Sequence, residues 1–231
     1  NSDFLDVLEL SNKYSEYDFM MPDLQVFSNY MSLKGVGPHT HVILYSRGNI
    51  QWATRVWWML KSVNFLNVSI LNGGFDRWKL ENKKVTKLPV KYPENNFKGK
   101  NQPGFFCEKE EIIKNIDNNQ VLIINALRKT LHLGIESINY GRPGHIKNSI
   151  NIPSTDMINK NTYLYKSIKE LKKIFNKYNL FNKDKVITYC GGGIAATNIA
   201  FAITIAGFND ITVYDASLNE WAKDKRLPLE N

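Results

Sequence analysis

Short apolar runs alternate along the chain with polar turns and with longer stretches of helical period. Val42-Ile43-Leu44-Tyr45 and Val68-Ser69-Ile70-Leu71 read as strands on either side of a helix over residues 53–62. Asn72-Gly73-Gly74 closes the second strand, and a short helix is predicted over 75–80. The same order returns near the other end of the chain. Val186-Ile187-Thr188-Tyr189 is a strand, 196–207 a helix apolar on nearly every side, Ile211-Thr212-Val213-Tyr214 a strand, and 218–223 a short helix. Tyr45 precedes Tyr189 by 144 positions, while Phe65 and Phe208, Asn72 and Asp215, and Trp78 and Trp221 are 143 apart. The chain therefore carries an internal repeat, with one extra residue in the first copy's loop. Two strand–loop–helix–strand copies imply two α/β units, each with a mainly parallel sheet flanked by helices.

The stretch between the copies, KYPENNFKGKNQPG at 91–104, is polar and rich in Pro, Gly and Asn, and reads as a linker. We divide the chain into a first unit over 1–92, a linker over 93–107 and a second unit over 108–231. Residues 1–30 read as irregular, with a helix start at Met20-Met21-Pro22-Asp23. The second unit opens with a helix over 108–116 and a strand at Val121-Leu122-Ile123-Ile124. A turn at Gly141-Arg142-Pro143-Gly144-His145-Ile146 leads to a strand around Ile150. The helix over 166–178 places Ile168, Leu171, Ile174 and Phe175 on one face.

Candidate chemistry sits at the second copy's strand-to-helix junction, where Cys190 is followed by Gly191, Gly192 and Gly193. Backbone N–H groups converge at a helix N-terminus, and the helix dipole favours an anion there. Such a place lowers a cysteine's pKa, and glycines let the backbone curl tightly around the sulfur. The same pattern also suits a small buried cysteine beside a tight turn. A dinucleotide loop would use the glycines, but the GxGxxG spacing is absent and Cys190 would be left without a role. The repeat sets Ser46 opposite Cys190, so one copy has the thiol and the other does not.

At 231 residues with 43% hydrophobic and 12% aromatic content, the chain can fill the cores of two units. No run of 18 apolar residues occurs, so no membrane partner is expected, and no charged-then-apolar leader is visible. Net charge is +8, but the lysines are scattered among acidic residues rather than gathered in a stripe. That argues against a nucleic-acid partner and for a solvated surface that helps anionic substrates approach. Cys107 and Cys190, 83 positions apart, form no CxxC pair, which points to a reducing, cytoplasmic setting. His39 and His41 lack a third ligand nearby, so no metal is expected. Cys107 and the Trp57-Trp58 pair read as packing residues, the tryptophans as core or interface.

These segments together resemble the two-domain rhodanese sulfurtransferases. Tyr189 to Ala196, YCGGGIAA, is similar to the family's active loop. Gly144-His145-Ile146 with Asn151-Ile152-Pro153 resembles its GHI…NIP element, and Val213-Tyr214-Asp215-Ala216-Ser217 with Glu220-Trp221 resembles its YDGS…EW element. In the first half, Arg55-Val56-Trp57-Trp58 and Leu71-Asn72-Gly73-Gly74-Phe75 resemble the inactive N-terminal domain. The resemblance implies two tandem rhodanese-like domains, the first structural and the second catalytic. It implies that Cys190 accepts a sulfane sulfur from a small anionic donor, thiosulfate or 3-mercaptopyruvate, and passes the persulfide sulfur to cyanide or a thiol. Gly191, Gly192, Gly193, Ile194 and Ala195 would cradle the persulfide, with His145 near the loop and Trp221 walling the pocket, and no cofactor is required.

Several positions depart from the family pattern. Asn125-Ala126-Leu127 stands where an aspartate and a following arginine are usual, and Arg128 is displaced by one. The family's donor-binding arginine falls near Leu131 or His132, which leaves Arg142 as the candidate substitute, with a surface turn arginine as the alternative reading of that residue. The glycine-rich loop lacks a basic pair and is closer to the mercaptopyruvate type. A strand and helix usual before the position of Asn1 are missing, so the sequence is either a fragment or has an abbreviated first domain. A phosphatase on this loop would need an arginine at position 196, where Ala196 stands. A sulfur carrier or binding module without turnover is the remaining alternative.

Overall fold

The computed structural model describes residues 2–136 and 140–231. The first unit opens with α1 (Val7–Leu10), capped by the Asp6 carboxylate on the Leu8 N–H, and α2 (Leu24–Leu33), entered from Asp23. The short α1 lies in a stretch read as irregular, because one helical turn gives too few positions to show a period. Then follow β1 (Val42–Leu44), α3 (Gln51–Ser62), β2 (Val68–Ile70) and α4 (Gly74–Leu80). β1 and β2 form a two-stranded parallel sheet with Val42 opposite Val68.

The second unit contains β3 (Phe106–Cys107), α5 (Lys109–Asn115), β4 (Val121–Asn125), α6 (Lys129–His132), β5 (His145–Ile146) and β6 (Ile150–Asn151). It continues through α7 (Ile168–Asn176), β7 (Lys185–Tyr189), α8 (Ile194–Ile205), β8 (Ile211–Tyr214), α9 (Ser217–Trp221) and β9 (Leu229–Glu230). Five parallel strands run in the order β3-β8-β7-β4-β6, and β5 pairs antiparallel with β9. The central strands β4 and β7 are buried over nearly their whole length, as a covered parallel sheet requires. α7 starts at a reciprocal cap between Ser167 and Glu170, and buries Leu171 and Phe175 while Ile168 stays exposed.

The repeat survives in register. Val186 lies opposite Ile211, as Val42 lies opposite Val68 in the first unit. The repeat-related helices α3 and α8 pack on each other, and the related pair Thr54 and Thr197 meet hydroxyl to hydroxyl at 3.0 Å. Trp57 of α3 sets its ring edge-on to Phe201 of α8 at 5.0 Å, and Trp58 donates its Nε1 proton to the Phe105 carbonyl. The tryptophans are thus interface residues. Burying each such side chain is worth about 1.5–3 kcal/mol, so the two units share one core.

The stretch read as linker, 93–107, is not free chain. Phe97 is buried between Phe27 and Phe65 of the first unit, and Lys100 and Gln102 hydrogen-bond to the Val63 and Ser62 carbonyls. Its last two residues are β3 in the second sheet. Among the described residues no helix is long and apolar enough to cross a membrane, and no group of three His, Cys, Asp or Glu is placed to hold a metal ion.

Candidate active site

Cys190 follows the C-terminal end of β7 and is 2% exposed. The strand end is fixed from below: the Tyr189 hydroxyl takes the Ile146 N–H at 2.9 Å and bonds the Ser149 hydroxyl at 2.7 Å. Gly193 then adopts a left-handed φ of 75° and caps α8. A Cβ there would come within 2.7 Å of the Asp215 carbonyl, so glycine is required on two counts.

Ser217 holds the loop closed. Its Oγ accepts the N–H of Cys190 at 3.1 Å and of Gly193 at 3.2 Å, and donates to the Tyr214 carbonyl at 2.8 Å. Ser217 reaches there from a φ of 53°, unusual for a residue with a Cβ. The Leu218 and Asn219 N–H groups bond the carbonyls of Cys190 and Gly191, turning those oxygens away from the cradle. The N–H groups of Gly191, Gly192, Ile194 and Ala195 find no acceptor among the described residues. An anion at the cysteine therefore meets unpaired donors at the start of a 12-residue helix.

The wall behind the loop comes from both units. Asp215 is ion-paired with Arg55 of α3 at 2.6 Å, with side chains 6% and 0% exposed. Its other carboxylate oxygen accepts the Met21 N–H at 2.8 Å. Arg55 also donates to the Phe19 carbonyl and lies over the Phe106 ring. The Tyr140 ring lies against Gly191, where a Cβ would fall 2.1 Å from the ring. Burial pushes the Tyr140 phenol up, and negative charge at Cys190 adds to the shift.

Three residues expected at the site are engaged elsewhere. The Arg142 guanidinium is clamped on the carbonyls of Trp221, Ala222, Asp224 and Leu227, so it pins the C-terminal segment and is not presented as an anion receptor. Trp221 is fully buried, packed on Tyr214 with its Nε1 proton given to Pro228, so it is a core residue, not a pocket wall. His145 stacks on His132 at 3.7 Å, bonds the His132 carbonyl through Nδ1 and faces Glu230 at 3.7 Å; these contacts belong to the β5–β9 ribbon. Arg128 is paired with Glu136 on the surface. Cys107 bonds no sulfur, and burial pushes its thiol up to about 12.

Sequence reasoning missed Arg55, Asp215, Ser217 and Tyr140 as site residues. The signal for three of them was present: Arg55, Asp215 and Ser217 stand in the motifs singled out above, and the side-chain contacts supply their roles.

Comparison with known proteins follows the same lines. The model of the rhodanese-like domain matches residues 7–81 and 108–224. The chain is 31% identical over 222 residues to 3-mercaptopyruvate sulfurtransferase of Mus musculus, covering 94% of this chain and 74% of that one. It is 30% identical over 220 residues to thiosulfate sulfurtransferase of Gallus gallus, covering 94% and 76%. Among solved structures, SseA from Escherichia coli, described as a 3-mercaptopyruvate sulfotransferase, superposes with a TM-score of 0.82 at 27% identity, over 93% of this chain and 80% of that one.

Proposed function

The chain belongs to the two-domain rhodanese family of sulfurtransferases, and from that premise we propose that Cys190 is the group that carries the sulfur. The Cys190 thiolate attacks the outer sulfur of thiosulfate, the Cys S–S bond forms, and sulfite leaves with the electron pair of the broken S–S bond. With 3-mercaptopyruvate the C–S bond breaks instead, and the donor's thiol proton ends on the carbon of the pyruvate released. A cyanide ion or thiolate then attacks the outer persulfide sulfur and returns Cys190 to the thiolate. The two half-reactions share one covalent intermediate.

The observation that carries this reading is the burial of Cys190 at a loop whose Gly191, Gly192, Ile194 and Ala195 N–H groups find no acceptor among the described residues. Preorganised donors in a dry site hold a persulfide anion without reorganisation. Positive net charge favours the approach of either anionic donor. Both donors occur in the names of the relatives above.

The test is intact mass after incubation with thiosulfate or 3-mercaptopyruvate. One added sulfur that cyanide removes, absent from Cys190→Ser, is the expected result. A stable persulfide without turnover would make the chain a carrier. No added sulfur from either donor would overturn the reading.

A further inference from the structure

We propose that Arg55, a residue of the first unit, is a positioning residue for sulfur loading at Cys190, acting through Asp215; this rests on the sulfurtransferase reading above. The pair lies directly behind the loop. A Cβ at Gly193 would fall 2.7 Å from the Asp215 carbonyl oxygen, 2.9 Å from its Oδ1 and 3.2 Å from Arg55 Nη1. Gly193 starts α8 and shares the Ser217 hydroxyl with Cys190, so the ion pair sets where the helix start sits relative to the sulfur. Arg55 is itself held from two sides, by the Phe19 carbonyl and the Phe106 ring. The Met21 N–H occupies the second oxygen of Asp215, which leaves the carboxylate no freedom to turn.

The repeat supplies a control within the same molecule. The counterparts of Arg55 and Asp215 are Asn198 and Asn72, beside the loop that carries Ser46. Both are neutral and both bond Tyr165: Asn198 Oδ1 accepts its hydroxyl proton and Asn72 Oδ1 its backbone N–H. A contact that only joined the two units would serve either loop. The charged pair stands behind the loop with the thiol alone. Removing one member of a buried ion pair leaves the other uncompensated, so the pair is held as a unit on the loop's rear wall.

The experiment measures, by rapid-quench mass spectrometry with thiosulfate, the maximal rate of sulfur gain and the donor concentration at half-maximal rate. It compares wild type with Arg55→Met, Arg55→Lys, Asp215→Asn, the Arg55→Met/Asp215→Asn double variant and Asn198→Ala. The expected result is a 10- to 100-fold lower maximal rate in Arg55→Met and Asp215→Asn, on the order of a lost positioning contact, with the half-saturating donor concentration changed less than about threefold. The double variant should lose about as much as either single one, because both act through one contact. Arg55→Lys should recover part of the rate. Asn198→Ala, which removes the bonds to Tyr165 and Ser154 beside the other loop, should load within about twofold of wild type. If Arg55→Met does not fold, Asp215→Asn and Arg55→Lys carry the comparison. Unchanged loading in the folded variants, or equal slowing in Asn198→Ala, overturns the positioning role. Absence of loading in the wild type overturns the functional reading itself and is told apart by that alone.

Discussion

The loops after β1 and β7 start from the same fold and end as different chemical environments. Each leaves a parallel strand and enters the helix that packs on the other unit. In the first, Ser46 is half-buried and turns its hydroxyl onto the Asn49 carbonyl, and Gly48 donates its N–H to the Asp76 carboxylate. A carboxylate at the loop is the wrong neighbour for an anion. In the second, Cys190 is buried, and Asn219 takes the place of Asp76. Ser217 stands where the first unit has Gly74, and the two share a left-handed φ near 55°. Both copies keep the backbone bond from the next N–H to the loop carbonyl, Phe75 to Ser46 and Leu218 to Cys190. The scaffold is therefore common, and the difference lies in a handful of side chains: a thiol, a hydroxyl, and a charge pair in place of two amides.

The largest effect that can break this comparison is transfer of the thiol. Cys190→Ser should abolish sulfur gain, and adding Ser46→Cys to that variant should not restore it, because the thiol alone does not make the cradle. Peptide-level mass spectrometry after thiosulfate reads both. Next, Arg55→Met leaves Asp215 buried without its cation, and should lower unfolding free energy by about 3–5 kcal/mol in a urea titration. Gly193→Ala combines the left-handed φ with contact against the Asp215 carbonyl, and should cost about 1–3 kcal/mol and slow loading. Gly48→Ala has nearly the same φ but open space, so it should cost about 1–2 kcal/mol and leave loading unchanged.

A smaller effect comes from the His132–His145 stack. Burial, with the neighbouring imidazole adding to it, lowers His132 from 6.5 to about 4. Between those values the unfolded chain binds a proton that the folded chain refuses, so stability falls as pH drops from about 6.5 towards 4. Partial solvent screening limits the contribution to about 1–2 kcal/mol. Thermal melts across this window should show the decline, and His132→Gln should flatten it. A slope unchanged in His132→Gln would assign the decline to other groups.

Much of the fold was legible because strands and helices write their burial locally. The runs at 42–45, 68–71, 121–124, 186–189 and 211–214 each became a strand within a residue of the expected limits. The repeat was legible because sequence offset needs no coordinates. Cys190 and its glycines were legible too, since a strand, a thiol and a helix start stand side by side. What failed were partnerships over long separations. Met21 and Asp215 are 194 positions apart, and Arg55 and Asp215 are 160 apart. Arg142 looked free for an anion because its four carbonyl partners lie about 80 positions downstream. Trp221 was placed by a motif, but the motif does not say which way an indole points. β3 was hidden because two residues are too few to show alternation.

The most direct test of the account is the location of the sulfur in the wild-type protein. Peptide mapping after thiosulfate or 3-mercaptopyruvate distinguishes the thiols that the chain contains, Cys107 and Cys190. The mass of one sulfur atom is expected on the peptide holding Cys190, lost on addition of cyanide, and none on the peptide holding Cys107. Sulfur on Cys107, or on neither peptide, would contradict it.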